Sequence, residues 1–96
     1  MAEYRLSAAA ERDLETIFDY TFGQWGLAQA VTYTDQIEEA CLALAEAPLR
    51  SVDCSDILPG YRRRIVGRHV VYFQVAPYGV AVIRILDQRM DAPRHL

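Results

Sequence analysis

The spacing of hydrophobic positions changes once along the chain. Between residues 8 and 47 apolar side chains recur every three or four positions; from residue 61 onward they alternate or run together. The first pattern predicts helices, the second strands. Ahead of both, Tyr4-Arg5-Leu6 reads as a short strand. Ser7 follows it, with a hydroxyl placed to cap a helix. Ala10, Leu14, Ile17, Phe18 and Thr21 then form the stripe of a first helix. Glu11, Asp13 and Glu15 crowd its first turns, at the positive end of the helix dipole. Gly23 is expected to end it.

Trp25-Gly26 marks a corner, with Trp25 read as an apolar plug there. A second helix is predicted from Leu27 to Ala47, with Leu27, Val31, Thr34, Ile37, Cys41 and Leu44 as its stripe and Pro48 just past its end. So short a link makes the two helices an antiparallel hairpin. Residues 48–60 read as loop, with Pro48, Pro59 and Gly60 around Ser51, Asp53, Ser55 and Asp56.

Three strands follow: Tyr61 to Val66, His69 to Val75, and Val80 to about Arg89. Gly67-Arg68 suits a type II′ hairpin turn between the first two. Pro77-Tyr78-Gly79 makes the next turn, and its length decides which side chains share a face. A two-residue turn puts Arg84 beside Val71 and Phe73. A three-residue turn instead puts Ala81, Ile83 and Ile85 with Val71, Phe73 and Val75, and is preferred because it leaves one face apolar. Val66 joins that face. The opposite face then carries Tyr61, Arg63, Tyr72, Gln74, Val82, Arg84 and Leu86, with Arg63, Tyr72 and Arg84 in one row. Arg62 and Arg64 fall on the apolar face, where they must snorkel past the helices or pair with helix acids. The fold class is α+β: an N-terminal strand and an antiparallel helix hairpin packed on one face of a small, largely antiparallel sheet, in the order β-α-α-β-β-β.

Composition narrows the class further. The 96 residues suit a single domain spanning 1–96, and a 52 % apolar, 24 % charged chain is globular rather than disordered. All ten basic residues are arginine. Residues 1–59 hold eleven acids and three arginines, whereas residues 60–96 hold two acids and seven arginines. An acidic front and a basic back therefore lie within one net charge of −3, and the basic back points to an anionic partner.

The first residues form no signal peptide, and no apolar run approaches the roughly 20 residues that span a bilayer. The expected location is the cytoplasm, without membrane contact, and the expected state of Cys41 and Cys54 is the reduced thiol. Cys41 reads as a packed thiol and Cys54 as a loop thiol open to reaction. Cysteine and histidine spacing supports no metal site. Phosphate-loop and nucleophile-elbow motifs are missing, so no cofactor is expected. His69 beside a turn and penultimate His95 both read as solvated, and no catalytic residue is assigned. The arginines remain: Arg62, Arg63, Arg64, Arg68, Arg84, Arg89 and Arg94, interleaved with Tyr61, Tyr72 and Tyr78. Guanidinium forks beside aromatic rings suit RNA stacking or a protein hot spot.

These residues resemble a known family. Tyr4-Arg5-Leu6-Ser7 with Ala10 and Asp13-Leu14, then Trp25-Gly26, Pro59-Gly60-Tyr61-Arg62-Arg63, Val66-Gly67-Arg68-His69-Val70-Val71-Tyr72-Phe73 and Ile83-Arg84-Ile85-Leu86-Asp87-Gln88-Arg89-Met90-Asp91 are similar to the ParE branch of the RelE/ParE toxin superfamily. The family more often carries His where Asp87 stands, which argues against catalysis at that position. The resemblance implies a cytosolic toxin of a type II toxin–antitoxin module, one that stalls DNA gyrase on cleaved DNA. It implies a ParD-like antitoxin as partner, in a heterotetramer or larger assembly, and contact with operator DNA only through that antitoxin. On this reading Arg63, Arg84, Arg89, Met90 and Arg94 face gyrase, while Tyr72, Val82 and Leu86, with Arg63 and Arg84, accept the antitoxin. The RelE branch, which cleaves mRNA on the ribosome, is the alternative. It is disfavoured by the lack of lysine and of a C-terminal tyrosine, since a permanently protonated guanidinium is a poor proton shuttle. A degenerate toxin acting as a plain binding module is the third reading.

Overall fold

The computed structural model describes residues 2–96. Strand β1 (Glu3–Leu6) leads into helices α1 (Ala8–Trp25) and α2 (Leu27–Glu46). After a 3-10 turn at Pro48–Arg50 come β2 (Val52–Asp53), β3 (Tyr61–Val66), β4 (His69–Ala76) and β5 (Gly79–Asp87), then a final helical turn, α3 (Ala92–His95). The sheet order is β1-β5-β4-β3-β2. Every pairing is antiparallel except β1 with β5, which is parallel.

Ser7 caps α1 as the sequence predicts: its Oγ accepts from the Ala10 N–H at 3.0 Å. The same hydroxyl donates to the Ile83 carbonyl at 2.7 Å, so one side chain ties the helix start to the sheet. Helix α1 does not stop at Gly23. It runs to Trp25 and breaks at Gly26 (φ +90°), which also precedes the first turn of α2. An interior glycine costs a helix about 1 kcal/mol without ending it. The α2 stripe holds from Thr34 to Leu44 but fails earlier. Ala30 is buried, whereas Leu27 and Val31 are exposed.

The 48–60 segment holds more order than the sequence predicts. Val52 and Asp53 pair with Arg63 and Arg62 as a fifth strand, too short to show a period of two. Arg62 explains the pairing. Its guanidinium donates to the Ser51 hydroxyl (2.8 Å) and carbonyl (2.6 Å) and lies 3.7 Å from Asp53. Arg62 therefore does find a carboxylate, in β2 rather than on a helix.

The preferred three-residue turn between β4 and β5 does not form, and Ala81 and Ile83 do not join the apolar face as expected. Ala76 pairs with Gly79 and Val75 with Val80, so the loop has two residues. A β-bulge at Ile83 then moves the register: Phe73 opposes Val82, but Tyr72 opposes Arg84. One extra residue inverts the parity of a strand. Val80 and Val82 consequently face the helices, and so does Ile85 beyond the bulge. The expected placement of Val82 on the outer face is corrected: it is fully buried on the helix side. Arg84 and Leu86 stay on the outer face, and the row Arg63–Tyr72–Arg84 forms as expected.

Both faces of the sheet are covered. Ile17, Ile37, Cys41, Leu44, Val71, Phe73 and Val82 build the main core between helices and sheet. Behind it Cys54, Val70, Tyr72, Leu86 and Ala92 form a second cluster, joined by Ile57, Tyr61 and Leu96. Tyr72 and Leu86 are thus buried, under the loop around Cys54 and the tail. Cys54 is buried too, which removes the open loop thiol expected from sequence, and burial raises its pKa.

Candidate interaction surface

Arg84 organises one side of the molecule. Its guanidinium grips Asp13 of α1 with two bonds, at 2.7 and 2.8 Å, and donates to the His95 carbonyl at 3.1 Å. Asp13 also accepts from the Ile85 N–H at 2.9 Å. The edge of β5 left open where β1 ends is therefore closed by Ser7 and Asp13. Arg84 was expected on a free binding face; its fork is instead taken up in joining helix, sheet and tail.

The other predicted arginines separate into different places. Arg63 sits half-buried at the opposite end of the Tyr72 row, lining a second hollow of about 440 Å³ at the end of α2. Arg89 and Met90 are exposed just after β5. Asp87 holds Arg89 by its backbone N–H (2.9 Å) and by its guanidinium (3.1 Å). Those bonds, the backbone one first, lower the Asp87 pKa. Arg94 lies on the exposed side of α3, with Asp91 3.4 Å away.

Sequence reasoning missed a cleft of about 500 Å³ between the helix hairpin and the ends of β4 and β5. Ile17, Thr21 and Ile85 contribute its apolar lining; Tyr20, Trp25 and Tyr33 bring aromatic rings; Arg68, His69, Asp87 and Arg89 bring polar groups. Trp25 is no plug, since it is 61 % exposed and stands edge-on to Tyr20 with centroids 6.4 Å apart. His69 is not simply solvated either. Its Nδ1 lies 2.6 Å from the Tyr33 hydroxyl, which also accepts from the Arg68 N–H at 3.1 Å. Burial holds the His69 pKa below its usual value, against the pull of Asp87. Tyr33 can pack this closely because residue 67 is glycine: a Cβ there would lie 2.8 Å from its ring. Arg89 and Met90, predicted as binding residues, line this cleft; Arg63 and Arg84 do not. The grouping depends on α2 crossing the β3–β4 turn, and no local pattern in the sequence carries it.

Fold and surface together define a small α+β protein with an aromatic, arginine-bearing cleft beside an ordered tail. Comparison with known proteins places it among its relatives. Residues 4–92 match the family described as ParE toxin of type II toxin-antitoxin system, parDE. Toxin ParE1 of Mycobacterium tuberculosis is 38 % identical over 96 residues, covering 99 % of this chain and 98 % of its own. Toxin ParE1 of Caulobacter vibrioides is also 38 % identical, covering 100 % of this chain and 99 % of its own. Toxin ParE of Escherichia coli is 37 % identical over 94 residues, covering 95 % and 89 %. A solved structure titled as the chromosomal ParDE TA system from P. aeruginosa shares the fold, with a TM-score of 0.78 at 20 % identity, over 91 % of this chain and 96 % of that one. The chain belongs to the ParE toxin family of type II toxin–antitoxin systems.

Proposed function

We propose that this toxin acts by stalling DNA gyrase on cleaved DNA in the cytoplasm, and that a ParD-like antitoxin neutralises it. The observation that carries the reading is the end-to-end likeness to ParE toxins, 38 % identical over essentially the full length of both chains. The charge distribution supports it, because stalling a target needs a complementary surface rather than a general base. Arg89, Met90 and Arg94 are the exposed residues through which the basic end meets gyrase, with Arg63 at a distance and Arg84 acting through the fold. Among the described residues no helix is long and apolar enough to cross a membrane.

The antitoxin is proposed to lie against the outer side of the sheet, over Tyr72 and Leu86 and toward Arg63. Since α3 and the Cys54 loop cover Tyr72 and Leu86, a partner segment reaches them by taking the place of the tail. Toxin and antitoxin join in a heterotetramer or larger assembly, which meets operator DNA through the antitoxin alone. Hydrogen exchange tests the placement: amides of residues 92–96 gain exchange when antitoxin binds while those around Tyr72 and Leu86 stay protected. An unchanged tail sinks it.

The target is tested with purified gyrase in a supercoiling and cleavage assay, beside a ribosome-dependent mRNA cleavage assay. Gyrase-linked DNA breaks with intact mRNA are expected. Cut mRNA with unaffected gyrase would move the chain to the ribonuclease alternative, and silence in both would mark a binding module. Charge reversal of both Arg89 and Arg94 to Glu is expected to lower gyrase inhibition at least about tenfold with little change in melting temperature.

A further inference from the structure

We propose that the cleft between the helix hairpin and the β4–β5 end binds a mononucleotide unit, a planar heterocycle carrying a phosphate. Its volume of about 500 Å³ falls in the range of small-molecule sites, which typically combine an apolar lining with a few convergent polar groups. The mouth is aromatic. Tyr20 is 57 % and Trp25 61 % exposed, side by side, and exposed rings of this kind offer faces on which a base stacks regardless of its identity.

The polar end selects an anion. Asp13 is committed to Arg84 and to the Ile85 N–H, and Asp87 to Arg89. Arg68 differs from its neighbours: among the described residues it makes no ion pair, and only its backbone takes part in the fold. His69 lies next to it in the lining, with Nδ1 2.6 Å from the Tyr33 hydroxyl, which accepts the Arg68 N–H at 3.1 Å and reaches the Val66 carbonyl at 3.3 Å. A guanidinium free of carboxylate, with an imidazole in the same lining, suits a phosphate. The unit is either a free nucleotide or the end of a single strand, since both present the same ring and phosphate. This site does not rest on the gyrase reading, and either can fail alone.

The test uses the ¹⁵N-labelled full chain and NMR titration. Trp25 is the sole tryptophan, so its indole N–H reports on the aromatic end, and the Arg68 and His69 amides report on the anion end. AMP is expected to shift both ends saturably, adenosine to bind more weakly, and inorganic phosphate to move only the anion end. Arg68→Gln keeps the backbone bonds and is expected to weaken AMP binding at least about tenfold. A short single-stranded oligonucleotide binding far more tightly than AMP, with the same signals moving, assigns the unit to a strand end; equal affinity assigns it to a free nucleotide. No saturable shift with AMP overturns the proposal, as does AMP binding unchanged in a folded Arg68→Gln chain, or phosphate binding as tightly as AMP. Shifts produced by a glutamate-rich peptide but not by AMP would also overturn it, giving the cleft to a protein partner.

Discussion

Asp13 and Arg84 show how far a single pair can reach. Their side chains are mostly withdrawn from water, at 14 % and 22 % exposure, and removing one partner leaves the other charge stranded. Arg84→Ala is expected to cost about 2–3 kcal/mol in urea unfolding, and the double variant with Asp13→Ala less than the sum of the two singles. Equal and additive losses would show that the two act separately. His69 gives a pH signature at the same scale. Its pKa is lowered on folding, chiefly by burial, so the unfolded chain binds the proton more readily. Stability is therefore greatest above the unfolded pKa of about 6.5 and falls as pH drops through the window below it. His69→Gln is expected to flatten that fall, read as melting temperature against pH. Asp87 shifts in the same direction for a different reason: its carboxylate is hydrogen-bonded by Arg89, and its lowered pKa adds stability above the usual carboxylate value, lost as pH falls through the folded one. Neither thiol takes part near neutral pH, since burial, with Glu38 nearby, pushes Cys41 up to about 12.

Elements were legible where their pattern was local. The helix hairpin, the Ser7 cap and the Gly67-Arg68 turn all follow from spacing that a window of the sequence contains. The bulge at Ile83 does not, because a two-residue turn with a bulge and a three-residue turn leave nearly the same apolar count. What decides between them is β1, which ends at Leu6 opposite Val82 and sends Ser7 to the Val82 and Ile83 carbonyls. The cleft was hidden for a similar reason: Tyr33 and His69 stand 36 positions apart and meet only in the folded chain. Gly79 marks the same junction. It has φ +142°, and a Cβ there would lie 2.0 Å from the Glu3 carbonyl oxygen. Gly79→Ala is expected to destabilise by at least about 2 kcal/mol and to release β1. Hydrogen exchange at residues 3–6 checks it: amides as slow as in the parent chain would mean the strand tolerates the side chain.

At the scale of the whole molecule, charge and layering matter more than any one contact. The acidic residues of the helices and the arginines of the later strands leave a polarised surface on a protein of net charge −3. Association with an acidic antitoxin segment is expected to slow as salt rises, since screening shortens the reach of that field, while the dissociation rate changes little. Stopped-flow mixing at two ionic strengths checks this, and a salt-independent on-rate would show an encounter governed by apolar contact. The sheet's order also opposes the order of synthesis. β1 is made first and its partner β5 last. On a ribosome the leading strand emerges with its helices and finds no neighbour until residues 79–82 have followed, so the parallel edge pairing of the sheet closes only near the end of translation. A half-made toxin is therefore an open hairpin with neither cleft nor finished back layer, and a cell that interrupts its synthesis is left with a fragment, not a poison.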